Sequence, residues 1–371
     1  MSEPKPPTLA FIAGQMAETD ATSPAFHLAL GDCIEVMQSM PDESVNCIIT
    51  SPPYWGMRDY QVKGQIGMED SLDLFIEKMS EVFSECRRIL TADGTLWLNL
   101  GDAYAGAGAG SSTGLPSRVP DKRPSSNNVG GWRGNSRASE SMFKSGSGLK
   151  RKDLIGIPWR VALRLHADGW FLRSDIIWSK PNPMPASAKD RPTLSHEYIF
   201  LMTKNGRYFY DWEAISSPVK YESVRRSQRQ QRASGERQAK HDPTGLVNNP
   251  EHMRQHYAEK HLTGASGLPR VNRRTVWEFC TARFDGAHFA TYPEALIRDC
   301  VKAGCPAGGI VFDPFTGSGT TGAVAMQEGR HFIGAELSPE YHAMAILRLE
   351  ENHARASEAA KQTDLSAWGV L

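Results

Sequence analysis

From residue 26 onward, short apolar runs alternate with stretches in which large hydrophobics return every three or four positions. Runs of the first kind read as strands and stretches of the second kind as amphipathic helices. Strands are predicted at 26–30, 45–50 and 95–100, with a helix at 34–40 between the first two. From 72 to 90, Leu72, Phe75, Ile76, Met79, Val82, Phe83, Cys86 and Leu90 fall on one face at helical spacing. Further along, a helix is predicted at 159–166 and strands at 170–178 and 196–203. Tyr292-Pro293 opens another helix with proline in its first turn, and a helix over 339–353 turns Ala343, Ala345, Ile346 and Leu349 inward. Strand and helix in regular alternation predict an α/β fold, a parallel sheet with helices on both faces.

Two segments interrupt the alternation. Residues 104–150 are rich in glycine and serine and read as a long mobile loop; residues 217–272 are basic, glutamine-rich and too poor in large aliphatics to hold much core. They leave a first half at 25–216, an inserted region at 217–272 and a last half at 273–352. A proline-rich arm at 1–24, expected to be disordered, and a tail at 353–371 flank these.

Net charge is zero over the 371 residues, which at first argues against a nucleic-acid partner. Its distribution argues the other way. Residues 104–152 hold nine Lys or Arg against two acids, and 218–274 hold twelve against five, so each carries +7. Positive charge gathered into two insert-like stretches is the footprint of a chain that tracks phosphates. The six cysteines are scattered without a paired C-x-x-C, and His252 and His256 lack a third ligand beside them, so neither a disulfide framework nor a metal site is indicated. No apolar run approaches the roughly 18 to 20 residues that span a bilayer, and the run 9–13 is too short for a signal peptide. A cytoplasmic protein without a membrane partner is expected.

Candidate chemistry sits at two places. The predicted strand 45–50 runs into Ser51-Pro52-Pro53-Tyr54-Trp55. Two consecutive prolines remove two N–H donors and force the chain out of the sheet at its carboxyl end, where open α/β sheets bind ligands. The Ser51 side chain and the carbonyls of Ser51 and Pro52 are left as acceptors, and Tyr54 offers a flat face, an arrangement suited to an amine-bearing ring. Trp55 either lines the same pocket or packs beneath it. Far along the chain, Gly309-Ile310-Val311-Phe312-Asp313-Pro314-Phe315-Thr316-Gly317-Ser318-Gly319-Thr320-Thr321-Gly322 leads a strand through a glycine turn into a helix, and Glu336 ends the next strand. Gly317-x-Gly319-x-x-Gly322 with an acid 19 positions after the first glycine also satisfies the dinucleotide fingerprint. Asp313-Pro314-Phe315-Thr316 before the glycines adds an acceptor and a ring that a pyrophosphate does not require. An ammonium and a sulfonium beside Asp313 and Phe315, with a ribose on Glu336, would use them. The ligand with those three groups is S-adenosylmethionine. A nicotinamide-dependent oxidoreductase and a non-catalytic DNA-binding protein are the alternatives of other classes.

Taken in order, Leu30-Gly31-Asp32, Thr50 to Trp55, Gly94 to Asp102, Lys152 to Pro158, Trp178-Ser179-Lys180-Pro181-Asn182-Pro183, His288 to Pro293 and the two cofactor segments resemble the DNA amino-methyltransferases. The arrangement is that of their circularly permuted beta class, catalytic motif first, and looks especially like the phage and restriction-modification members. The resemblance implies a Rossmann-like three-layer αβα sheet with an inserted target-recognition region at 217–272, and a second DNA-facing element at 104–152. It implies double-stranded DNA as substrate, and allows a homodimer and a cognate restriction endonuclease as partners. It carries Ser51, Pro52, Pro53 and Tyr54 to the catalytic rim, Asp32 to the adenine amine, and Glu336 to the ribose. Asp313, Phe315, Gly317 and Gly319 go to the methionine arm, and Ala290 and Thr291 to its carboxylate side. Serine at the first catalytic position is associated in that family with N4 of cytosine, adenine N6 being the alternative. A hydroxyl there can accept from the cytosine amine and also donate toward N3, whereas an ionised aspartate only accepts.

Overall fold

The computed structural model describes residues 13–14, 16, 24–57, 60–105, 149–150, 152–183, 185–186, 188–218, 270–281 and 292–367, with side chains to 354. The chain forms two compact units, Met1–Tyr210 with Thr275–Leu371, and Asp211–Arg274. The long loop expected at 104–150 falls almost wholly outside the described residues, as does most of the region 217–272. Of the arm at 1–24, Ala13, Gly14 and Met16 are helical, and Ala13 and Met16 are buried rather than disordered.

In the first unit, β1 (Phe26–Leu30), α1 (Cys33–Gln38), β2 (Val45–Thr50), α2 (Leu72–Ile89), β3 (Leu90–Leu100), α3 (Ile157–Ala167), β4 (Phe171–Ser179) and β5 (His196–Thr203) follow one another. The second unit contributes α4 (Trp212–Ile215) and the two-residue strands β6 (Ser217–Pro218) and β7 (Arg270–Val271), which pair antiparallel. The first unit resumes with β8 (Val276–Glu278), α5 (Glu294–Gly304), β9 (Ile310–Asp313), α6 (Thr320–Gln327), β10 (His331–Glu336) and α7 (Pro339–Ala367). Its eight strands form one sheet in the order β1-β10-β9-β2-β3-β5-β4-β8.

The sheet is mixed, not wholly parallel: β5 runs antiparallel to both β3 and β4. Parallel neighbours need a crossover, and between β4 and β5 the prolines at 181, 183, 185 and 192 leave no room for a helix to provide one. β3 starts at Leu90, five residues before the expected 95, because its register against β2 shifts between Val45, which faces Leu90, and Cys47, which faces Thr95. α7 continues to Ala367 where a tail was expected, and Ala343 is exposed on it, while Ala345 and Leu349 are fully buried.

Period-two alternation divides the sheet into two buried faces. Ile48, Leu96, Leu98, Phe200, Phe312 and Ile333 join one apolar cluster with Phe75, Met79, Val82 and Phe83 of α2 and Val161 and Leu165 of α3. The intervening residues, among them Trp97, Val311 and Phe332, are equally buried but lie outside that cluster. On their side, Gly304 at the end of α5 approaches so closely that a Cβ there would lie 2.1 Å from Trp97 Nε1. Helices on both faces make the three layers. Each fully buried large side chain contributes on the order of 1.5 to 3 kcal/mol, so the sheet is held by many residues rather than by one. Among the described residues no helix is long and apolar enough to cross a membrane.

Candidate active site

The carboxyl ends of β1, β10, β9, β2 and β3 lie along one sheet edge, and the strand order reverses between β9 and β2. From β9 the chain crosses through α6 to β10 on one side, and from β2 through α2 to β3 on the other; the crevice at such a reversal is where open α/β sheets bind ligands. A buried hydrogen bond closes this seam, Thr50 Oγ1 of β2 donating to Asp313 Oδ1 of β9 at 2.7 Å.

Asp313 is fully buried and does not offer the free carboxylate expected of it. Its oxygens accept from Thr50, from the Phe315 N–H at 3.0 Å, from Thr321 Oγ1 at 2.7 Å and from Tyr292 Oη at 3.2 Å. Burial pushes its pKa up, and these four donors act against the shift. Its place is to hold the turn that presents half-buried Phe315.

In that turn Gly317 and Gly319 have φ of 54° and 80°, left-handed values that side chains with a Cβ rarely adopt. Gly319 also abuts Ala345 of α7, where a Cβ would come within 3.3 Å of the alanine methyl. It caps α6 without a side-chain acceptor, so the first N–H groups of that helix stay available to an anionic group such as a carboxylate. Glu336 fastens the turn from the next strand: Oε2 accepts from the Gly317 N–H and Oε1 from the Ser338 N–H, both at 2.8 Å. Each oxygen keeps a lone pair for a hydroxyl, as a ribose contact requires. Burial raises the Glu336 pKa, against the two N–H bonds. Asp32 lies beyond β1 on the same edge, where Oδ1 caps α1 by accepting from Ile34 and Glu35, leaving Oδ2 for an amine. Acceptors at Asp32 and Glu336 flanking a glycine turn and an open helix start fit the adenine, ribose and carboxylate of S-adenosylmethionine. Ala290 and Thr291 lie outside the described residues.

Across the seam, Ser51 is half-buried, Pro52 buried, and Pro53 and Tyr54 half-buried. Trp55 is 1% exposed and donates from Nε1 to the Glu69 carbonyl at 3.0 Å, so it packs beneath the rim instead of lining it. The Tyr54 hydroxyl donates to Glu197 Oε2 at 2.8 Å, and Glu197 Oε1 accepts from Lys180 Nζ. Burial, then the adjacent Glu197 charge, holds the Tyr54 pKa well above its usual value. Glu197 is the second residue of β5 and Lys180 follows β4, so the antiparallel pairing that brings His196 opposite Ser179 also brings these two charges to the catalytic edge. Sequence reasoning singled out Lys180 within a motif but missed Glu197. Its only local signal is one carboxylate at the head of an apolar strand.

Of the six cysteines only Cys280 is exposed. Cys33, Cys47, Cys86, Cys300 and Cys305 are buried, and burial pushes Cys33 and Cys47 up to about 12 and Cys86 and Cys305 well above their usual value. Among the described residues no group of three His, Cys, Asp or Glu is arranged to hold a metal.

Comparison with known proteins assigns this geometry to a family. Residues 45–347 match the family model N6_N4_Mtase, described as DNA methylase. The type II methyltransferase M.Cfr9I of Citrobacter freundii is 43% identical over 320 residues, 86% of each chain. M.SmaI of Serratia marcescens, also a type II methyltransferase, is 41% identical over 322 residues, 87% of this chain and 90% of its own. Among solved structures, the PvuII DNA methyltransferase, described as cytosine-N4-specific, shares the fold with a TM-score of 0.53 at 17% identity, over 90% of this chain and 95% of that one.

Proposed function

Because the chain belongs to the DNA methylase family whose members modify N4 of cytosine or N6 of adenine, we propose that it methylates N4 of cytosine in double-stranded DNA, with S-adenosylmethionine as donor. Membership sets aside the oxidoreductase reading of the glycine turn and the non-catalytic one. The observation that carries the proposal is Ser51, a neutral acceptor at the sheet edge, one strand away from the turn that Glu336 fastens.

S-adenosylmethionine supplies an electrophilic methyl group on a sulfonium. The residues of the chain have to prepare the other reactant. An exocyclic amine is a poor nucleophile because its lone pair is delocalised into the ring. Acceptors outside the ring plane, the Ser51 hydroxyl and the Pro52 carbonyl, draw its two N–H groups and bring the nitrogen toward tetrahedral geometry. The base has to leave the duplex to reach them, at a cost of about a few kcal/mol, offset in part by stacking on Tyr54. No thiolate is required, in keeping with the raised cysteines. Asp32 would hold the adenine amine, Glu336 the ribose, and Phe315, Gly317 and Gly319 the methionine arm, with Ala290 and Thr291 at its carboxylate. The region 217–272 would select the site, and 104–152 would face the DNA beside it.

Serine in the first position favours cytosine N4 through its association within the family. The test is transfer of labelled methyl from S-adenosylmethionine to duplex DNA, followed by mass spectrometry of the digested nucleosides. N4-methylcytosine is expected; N6-methyladenine alone would overturn the choice of base and leave the reaction standing. Ser51→Ala should lose roughly 2 to 4 kcal/mol of transition-state stabilisation, the scale set by removal of one oriented polar group, while still binding the cofactor. Near-normal turnover of that variant on saturating DNA would remove Ser51 from its role.

A further inference from the structure

One cation at the catalytic edge is held in place and left without an acceptor. Tyr104 lies four residues beyond the end of β3, the strand beside β2, and bridges to Leu154 ahead of α3. Because β5 runs antiparallel to both β3 and β4, the segment joining β4 to β5 emerges at the same edge as the carboxyl end of β3. From that segment Arg191 brings its guanidinium carbon to 3.4 Å from the centre of the Tyr104 ring. That is van der Waals contact, so the guanidinium lies flat on the ring; turned edge-on, it would drive a nitrogen into the ring. Both residues are half-buried. Among the described residues no hydrogen bond or ion pair takes up the N–H groups of Arg191, whereas Arg88, Arg160, Arg164 and Arg298 each give theirs to a carbonyl or a carboxylate. The acid beside it is engaged elsewhere, Asp190 Oδ2 pairing with Lys152 Nζ at 2.7 Å.

We propose that Arg191 is a contact to the DNA backbone, holding a phosphate of the strand whose base is turned out toward Ser51, and that Tyr104 is the residue that positions it. The inference rests on the reading of the chain as a DNA methyltransferase. It adds a contact outside the two basic segments picked out in the sequence, since Arg191 belongs to neither. The chemistry of the partner follows from the donor. A guanidinium presents paired N–H groups that match two oxygens of one phosphate, and it stays charged at any working pH. A base that leaves the duplex for the end of β2 brings its flanking phosphates to the same edge, one strand from where Tyr104 stands. An arginine already stacked on a ring has less side-chain freedom to lose when the phosphate arrives. Such a contact fixes where the strand lies and carries no sequence, so it sets the target nucleotide over the rim and leaves the choice of site to other residues.

The test is equilibrium binding of the full chain to two duplexes, one that it modifies and one of scrambled sequence, over a series of salt concentrations, with S-adenosylmethionine affinity measured separately. Arg191→Met should weaken binding to both duplexes by a similar factor, about tenfold at low salt, and reduce the log–log salt slope by about 0.9, the share of one phosphate. Cofactor affinity should stay within about twofold, since the contact lies away from the glycine turn. Arg191→Lys keeps the charge without the fork or the stack, and should keep the slope while losing several-fold in affinity. Tyr104→Phe keeps the ring and should bind as the unaltered protein does. Tyr104→Ala frees the guanidinium and should lose affinity at unchanged slope, and adding it to Arg191→Met should cost nothing further. If the methionine variant folds poorly, Arg191→Gln should give the same change of slope. An unchanged slope on loss of the charge, or a loss confined to the duplex that is modified, would overturn the proposal. If the unaltered protein binds no duplex DNA, the assigned reaction falls and takes this inference with it; if it methylates DNA and Arg191→Met binds equally well, only Arg191 loses its role.

Discussion

With Glu336 assigned to the ribose, as proposed, its protonation and cofactor binding become coupled. Burial raises its pKa, and its two oxygens accept from the Gly317 N–H of the turn and from the Ser338 N–H just after β10. A proton turns one of those oxygens into a donor, which weakens its bond to Gly317 or Ser338 by removing the charge and leaves less acceptor capacity for the ribose. Affinity for S-adenosylmethionine should therefore be full at neutral pH and decline as pH falls, beginning above the range of an ordinary glutamate. Calorimetry between pH 7 and 5 measures this, and Glu336→Gln should bind weakly at every pH without that decline; a flat profile for the unaltered protein would refute it. The residues at this scale that were legible in the sequence, Ser51 to Tyr54 and Gly317 to Glu336, stand beside a local mark, a double proline or a glycine turn after a strand. Glu197 carries none, because its partner Tyr54 is 143 residues away. Asp313 was legible as an acid, but four donors reaching it from three other segments turned it from a ligand into a clasp.

Helix α3 depends on a residue outside itself. Its cap position is Gly156 with φ of 76° and no side-chain acceptor, and the missing acceptor is Asp102, which follows β3 and takes the N–H groups of Gly156 and Ile157 at 3.0 and 3.1 Å. Asp102→Ala should lower stability by about 1 to 2 kcal/mol, as loss of a helix cap does, seen as a reduced urea midpoint at unchanged slope. A loss within about 0.5 kcal/mol, the range of ordinary surface changes, would show that the cap is dispensable. Helices with a strong apolar face were readable to within a residue or two, α2 above all. The early start of β3 and the reversed β5 were not, because register and strand direction are decided by neighbours and not by the pattern inside a strand.

Across the whole molecule, the two basic segments lie mostly outside the described residues, and their reading as DNA-facing makes a prediction of its own. DNA affinity should fall steeply with salt, by about 0.9 in the log–log slope for each phosphate neutralised, and deleting 217–272 should flatten the slope and remove site preference while cofactor binding persists. Salt-independent affinity would assign the basic charge to solvent. The order of the halves along the chain was legible, because both motifs are local, and so was their meeting with Asp32, Ser51 and Glu336 on one edge; the pairing of β2 with β9 that makes it, and the bond of Thr50 to Asp313, 263 residues apart, were not. On the ribosome that separation becomes time. At ~5 to 20 residues per second, roughly 13 to 50 seconds pass between the emergence of one side of the clasp and the other. A nascent chain that carries Ser51 and Tyr54 but not yet residues 309–336 lacks the turn proposed to receive the donor, so it is expected to mark no DNA until that segment has been made.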